Sequence, residues 1–181
     1  MLTLDSKDHL VHPEEFDDIT LNSSALSIFT DFKEHQPIVI DGDTPAVQTE
    51  FLMRKAHVRL KLVVDKEGEM IGTISLNDLD EQHFIQHLGK GMLREDIQVK
   101  DLMIPRTHIK ALDYRDLLRS TIDDVIHSLQ QNHQRHCLVL DSEHHHIRGI
   151  ISASDIARRL HMPLVIEKRP TFVDIFEAAK P

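Results

Sequence analysis

Two stretches of the chain set the same chemically capable side chains at the same spacing: Gly72-Thr-Ile-Ser75-Leu-Asn-Asp78 and Gly149-Ile-Ile-Ser152-Ala-Ser-Asp155. A serine that opens a helix can cap it, and the free N–H groups and positive dipole end behind it attract an anion. An aspartate at the third helical position presents a fixed carboxylate, which can accept two hydrogen bonds from a ribose diol. Each charge-assisted bond is worth roughly 1.5–3 kcal/mol when shielded from water. Gly72 and Gly149 permit close approach of another backbone, which a side chain would block. The same Ser-x-x-Asp spacing also describes a capping box, in which the acid only satisfies its own helix. For one copy alone the capping role is the favoured one; two copies in equivalent places, each after a strand and a glycine, move the balance toward a shared ligand-facing site, although duplication copies caps as well.

Basic residues gather near these motifs. Arg59 and Arg135 open the central strands, and Lys61, His136, Arg106 and Lys110 fall nearby in the expected pairing. In an acidic protein they could form a local pocket for phosphate. Lys61 and Lys110 read better as strand-edge charges that discourage aggregation, which leaves His136 as the stronger candidate.

Other chemistries find less support. The fourteen histidines include His133-x-x-His136 and the run His144-His-His146, but successive turn residues point in different directions and lack a recognised ligand frame. No metal is expected. The sequence holds no Gly-x-Ser-x-Gly, no Walker-type loop and no zinc-protease histidine pair. Cys137 sits in an apolar run where a thiolate is disfavoured, so it is expected to be buried and inert. The chain reads as a non-enzyme.

The elements that must hold these residues come as a repeat. Residues 58–79 return at 134–156, matching Arg59 with Arg135, Asp65 with Asp141, Gly72 with Gly149, Ser75 with Ser152 and Asp78 with Asp155. The second copy has one extra residue in its turn. A unit too short to bury its own apolar face should pack on its twin and create a pair of related clefts. Alternation and turn residues give each copy the order β-α-β-β-α, an α+β fold.

In detail, Ser24 caps a helix carrying Ala25, Ile28, Phe29 and Phe32, packed on the first copy. Residues 37–41 form a strand, and Thr44 with Pro45 opens a helix whose buried side is Ala46, Val47, Phe51, Leu52 and Met53. Residues 60–64 and 70–74 form a hairpin, and Ser75 opens a helix ending at Gly89. The second copy repeats this with a short helix at 99–103, a strand at 109–112, and a helix with Ile122, Val125, Ile126 and Leu129 behind Ser120 or Thr121. A strand at 137–140, a strand at 147–151 and a helix from Ser152 complete it. The expected divisions are an extension at 1–23, a first repeat at 24–88, a connector at 89–98, a second repeat at 99–161 and a tail at 162–181. In the tail, Thr171 through Phe176 suggests a short capped helix docking within the protein.

Bulk properties narrow the partners. The 21 Lys+Arg against 30 Asp+Glu give a net charge of −9, and aromatic residues make up 4% without Trp. That balance repels a phosphate backbone and leaves few stacking platforms, so extended nucleic acid is an unfavoured partner. The N-terminal residues lack a basic start followed by an apolar stretch, and no segment approaches the ~20 apolar residues of a membrane span. A cytoplasmic protein is expected.

The segments Arg59 to Asp65 with Gly72 to Asp78, and Arg135 to Asp141 with Gly149 to Asp155, resemble the cystathionine β-synthase (CBS) domain; Val99-Lys-Asp-Leu-Met-Ile-Pro105 resembles its lead-in. The resemblance spans residues 24–161 as a tandem pair. It implies two copies packed sheet to sheet as one pseudo-two-fold module and homodimerisation into a flat disc. It also implies clefts between copies that bind an adenosine ligand such as AMP, ADP, ATP or S-adenosylmethionine. Carried over, Asp78 and Asp155 would hold ribose hydroxyls, Ser75 and Ser152 would lie near phosphate, and His136 would meet phosphate in the second copy, where the first has Leu60. A central-strand proline usual in the family is Leu62 and Leu138 here, restoring a backbone N–H near the adenine edge. Such modules regulate an attached enzyme or transporter. This one is expected to act on a separate partner or on itself, the alternative being a ligand-free scaffold that captures a protein through its acidic face and Phe172–Phe176 tail.

Overall fold

The computed structural model describes residues 19–88 and 91–161. The acidic extension before residue 19 and the helix expected at 171–176 lie outside the described residues. The fold is mixed α+β with two four-stranded sheets, and the described residues divide into two compact units: those within 32–111 form one, and 19–31 with 112–161 the other.

In the contiguous unit, strands β2 (Val39–Asp41), β3 (Leu60–Val64), β4 (Met70–Ser75) and β5 (Ile104–Pro105) lie in that order. β2 runs parallel to β3, and the β3–β4 hairpin is antiparallel. Its turn is fixed by Asp65, whose Oδ1 accepts from the Glu67 and Glu69 amides at 3.1 and 2.8 Å, and by Gly68 at φ +82°, a left-handed position that favours glycine. Helices α1 (Ala46–Lys55) and α2 (Glu81–Leu88) complete it, with the core drawn from Met53, Val63, Ile74, Leu79 and Phe84, joined by Ile97 and Val99 ahead of and within α3 (Val99–Leu102).

The composite unit repeats the plan. A 3-10 turn at Ala25–Ile28 leads into β1 (Phe29–Asp31); much later come β6 (Ala111–Asp113), α4 (Tyr114–Leu117), α5 (Ile122–Gln131), β7 (His136–Asp141), β8 (His146–Ser152) and α6 (Ala153–Arg159). The sheet order is β1-β8-β7-β6. As the apolar spacing predicts, Ile122, Val125, Ile126 and Leu129 of α5 are buried. Thr121 caps that helix through a capping box with Asp124, whose carboxyl these bonds hold below its ordinary range.

Each sheet therefore takes its edge strand from the lead-in to the other copy. β1 pairs with β8, setting Asp31 opposite Gly149, and β5 pairs with β4, setting Pro105 opposite Gly72. The two glycines serve this pairing. A Cβ on Gly149 would stand 2.2 Å from the Thr30 carbonyl oxygen and 2.4 Å from the Phe29 ring; one on Gly72 would stand 2.5 Å from the Ile104 carbonyl oxygen and 2.7 Å from Met103 Sδ. The lead-ins also close the helix starts: Ala46 N–H donates to Ile97 O at 2.8 Å and Ile122 N–H to Ser23 O at 3.0 Å. On β1, Asp31 accepts a guanidinium fork from Arg148, which also covers the Tyr114 ring at 4.5 Å.

Three expectations change. Ser24 does cap, accepting from Leu26 N at 3.3 Å, but the helix ends at Ile28, Phe29 enters β1, and Ala25 and Ile28 pack with the core of the second copy instead of the first. In α1, Pro45 is the N-cap rather than the first helical residue, and no Thr44 side-chain bond is needed because Ile97 supplies the acceptor. Its buried stripe is Ala46, Thr49 and Met53, while Val47, Phe51 and Leu52 are exposed. Thr49 can be buried because its hydroxyl donates to Pro45 O at 3.0 Å, so polarity misleads there. Last, Ser75 ends β4 and α2 begins only at Glu81, after a turn.

α1 and α5 end alike, with His57 and His133 in the left-handed region at φ +54° and +53°. The next amide in each reaches back into the last turn, Val58 N to Met53 O and Gln134 N to Leu129 O, both at 2.9 Å. This is a Schellman ending, usually occupied by glycine. His57→Gly should remove left-handed strain and raise stability by about 1 kcal/mol, read as a higher thermal midpoint. Gly149→Ala should lower stability by about 3 kcal/mol in a urea titration, and Gly72→Ala by less, because its new methyl would meet main chain less closely and its other neighbour is the flexible end of Met103.

Candidate functional site

In both units the candidate residues converge at one end of the central hairpin. Leu60 lies opposite Ser75 across β3 and β4, and Leu76 N–H donates to Arg59 O at 3.1 Å. His136 lies opposite Ser152 across β7 and β8, and Ala153 N–H donates to Arg135 O at 2.9 Å. So Arg59, Ser75 and Asp78 form one group, and Arg135, His136, Ser152 and Asp155 its counterpart. Arg59 and Arg135 are exposed, while His136 and both serines are partly buried. Leu62 and Leu138, at the departures from the family's proline, are buried beneath.

The aspartates differ. Asp78 folds back: its Oδ2 accepts from the Ser75 amide at 2.8 Å and the Ser75 hydroxyl at 2.6 Å. Asp155 stands at the third position of α6, where Ser152 is the N-cap but makes no side-chain capping bond. Its Oδ1 accepts from Arg158 Nη2 at 3.2 Å, and its side chain is 46% exposed. Local sequence explains the split. In the first copy Asp80 caps α2, accepting from the His83 amide at 3.1 Å and facing the His83 ring nitrogen at 2.7 Å. Burial raises the Asp80 pKa, but the His83 and Gln82 interactions outweigh it and hold the carboxyl below its ordinary range. With the helix start moved to Asp80, residues 75–78 become a turn, and Asp78 closes it. In the second copy the helix follows Ser152 directly.

Sequence reasoning missed the Asp80 cap, although Asp80-x-x-His83 is an N-cap spacing that competes with Ser75-x-x-Asp78. It also placed Arg106 near the phosphate-facing group. Arg106 instead reaches the Met70 carbonyl, at 3.5 Å, at the opposite end of β4 from Ser75. In the histidine-rich turn, His144 faces Asp141 at 3.0 Å and stacks on His146 with ring centroids 6.0 Å apart. Cys137 is buried, and that burial pushes its thiol pKa up. Among the described residues, no helix is long and apolar enough to cross a membrane.

Comparison with known proteins bears on the fold. No curated protein sequence matches the chain. Among solved structures, an uncharacterized conserved protein from Pyrococcus horikoshii is similar at 16% identity and TM-score 0.57, over 82% of this chain and 100% of that one. A conserved CBS domain protein of unknown function from Thermoplasma acidophilum is 18% identical, with TM-score 0.50, over 83% of this chain and 76% of that one. CBSX2, solved in complex with AMP, is 19% identical, with TM-score 0.53, over 75% and 94%. These likenesses concern the fold. The CBS domain family profile matches residues 30–82 and again 99–162, more than half of the chain, and with the duplicated hairpins and their exchanged edge strands this makes the chain a member of the CBS domain family, carrying two copies.

Proposed function

We propose that this chain is a non-catalytic regulatory module of the cytoplasm, a homodimer that binds an adenosine nucleotide or derivative, such as AMP, ADP, ATP or S-adenosylmethionine, and passes the binding on to a partner or to its own assembly. CBS domain proteins are generally regulatory, and the AMP complex of CBSX2 supports the ligand class. The observation that carries the reading is the second-copy group. His136 and Ser152 face each other across the hairpin, and the Asp155 carboxylate is not tied to its helix start. In this proposal Asp155 accepts the ribose hydroxyls, Ser152 and the α6 amides meet phosphate, and Arg135 and His136 supply positive charge. Arg59, Ser75 and Asp78 form a weaker first-copy site, since Asp78 must release two bonds to Ser75 before it can accept from a sugar.

A second reading, a scaffold that has kept the fold without the ligand, is favoured by that folded-back Asp78. Calorimetric titration of the four compounds separates the two. Under the sensor reading wild type binds at least one of them, Asp155→Ala weakens binding at least tenfold, and Asp78→Ala weakens it less. Wild type indifferent to every compound leaves the scaffold. In thermal melts the order reverses: Asp78→Ala should lose about 1 kcal/mol with its turn bonds, and Asp155→Ala should change little.

A further inference from the structure

The segment behind each duplicated serine is pinned alike at both ends and shaped differently between them. At its start, Leu76 N–H donates to Arg59 O at 3.1 Å, and Ala153 N–H to Arg135 O at 2.9 Å. Three residues on, Leu79 and Ile156 are each buried in the core of their own unit. Between these anchors the second copy is already helical, as the first turn of α6. The first copy instead makes a turn, closed by Asp78 on the Ser75 amide and hydroxyl. One chain thus holds the same Ser-x-x-Asp motif in two conformations, and neither hairpin nor core has to be rebuilt to pass from one to the other.

Three side chains beyond the motif favour the turn in the first copy. Asp80 caps α2 where the second copy has Ala157. His83, whose ring nitrogen faces the Asp80 carboxylate at 2.7 Å, stands where the second copy has Leu160. Glu81 replaces Arg158, the residue that donates to Asp155. In a helix running on from Ser75, Glu81 would lie one turn from Asp78 and repel it, where Arg158 attracts Asp155. An N-cap is worth about fivefold in an equilibrium. A ligand that prefers the helical form can reverse a bias of that size through its differential affinity.

We propose that residues 75–80 are a ligand-driven switch: a ribose that takes the Asp78 carboxylate releases Ser75, and the segment winds into the helical form of its second-copy counterpart, displacing the Asp80 cap. This rests on the sensor reading above and supplies a step by which binding is passed on. Arg94 donates to both Glu81 oxygens at 2.6 and 2.8 Å and lies over the Phe84 ring at 4.4 Å, so a change at the start of α2 reaches the Arg94–Asp96 turn. Asp80 is a positioning residue in this scheme. Removing its cap favours the helical form and thereby tightens binding at the first-copy group, although Asp80 itself meets no ligand.

Carbon chemical shifts of residues 76–80 in the isotope-labelled full chain read the conformation, and calorimetric titration with AMP, ADP, ATP and S-adenosylmethionine reads binding. An Asp155→Ala background weakens the second-copy group, so that the first dominates the titration. There the inference expects turn-like shifts without ligand and helical shifts with whichever compound binds. Adding Asp80→Ala should move the ligand-free shifts toward helix and tighten binding about fivefold, whereas Asp80→Asn, which keeps a capping side chain, should behave as the background does. Binding seen only after Asp80→Ala also supports the switch, since the closed turn is then the block. Binding without a change at 76–80, or binding that Asp80→Ala leaves unaltered or weakens, overturns the switch and leaves the sensor reading standing. If wild type binds but the Asp155→Ala chain does not, with or without Asp80→Ala, the switch falls and a sensor with one working group remains. Indifference of wild type and Asp80→Ala to every compound overturns both.

Discussion

The contact on which each half of this molecule depends is a carbonyl lying against a glycine. Thr30 O meets the position a Gly149 side chain would take, and Ile104 O does the same at Gly72. With those positions bare, a lead-in strand can join the hairpin's edge, and the backbone before it can close the start of a helix. Apolar lead-in residues then complete the core: Ala25 and Ile28 in one unit, Ile97, Val99 and Leu102 in the other. The glycines of the duplicated motif thus have a structural cause that owes nothing to a ligand, since an added Cβ would collide with main chain.

Once the sheet edges are set, the motif's other residues are free to diverge. The same Ser-x-x-Asp spacing closes a turn in the first copy and stands at an uncapped helix start in the second. The cause lies downstream of the motif. Asp80 moves the start of α2, and no acid at the corresponding place does so for α6, where Ala157 follows Ile156. Duplication copied the residues, and one nearby substitution separated their roles.

The hairpins, α5 and the duplicated order were legible in the sequence because each rests on a local signal. Alternation marks the strands, the i, i+3, i+4, i+7 spacing of Ile122 to Leu129 marks the helix, and Gly68 marks a turn. The exchange of lead-in strands was not, because pairing between residues as far apart as Gly72 and Pro105, or Asp31 and Gly149, leaves no local trace. α1 was misread for a different reason. Its most apolar residues face outward, and the inward stripe includes Thr49, whose hydroxyl is satisfied by its own helix. At the site, the convergence of Arg59 with Ser75 and of His136 with Ser152 followed from the repeat. The state of each aspartate did not, because it turns on a competition between two overlapping caps that spacing alone leaves balanced.

The discontinuous unit also orders events during synthesis. A ribosome delivers residues 32–111 as one uninterrupted stretch, so that unit can complete its sheet while the rest of the chain is still being made. β1 leaves the exit tunnel before any of it and cannot pair until β8 follows, more than a hundred residues later. Asp31, which later receives Arg148, keeps that waiting strand charged and hydrated, a guard against premature pairing with the wrong edge.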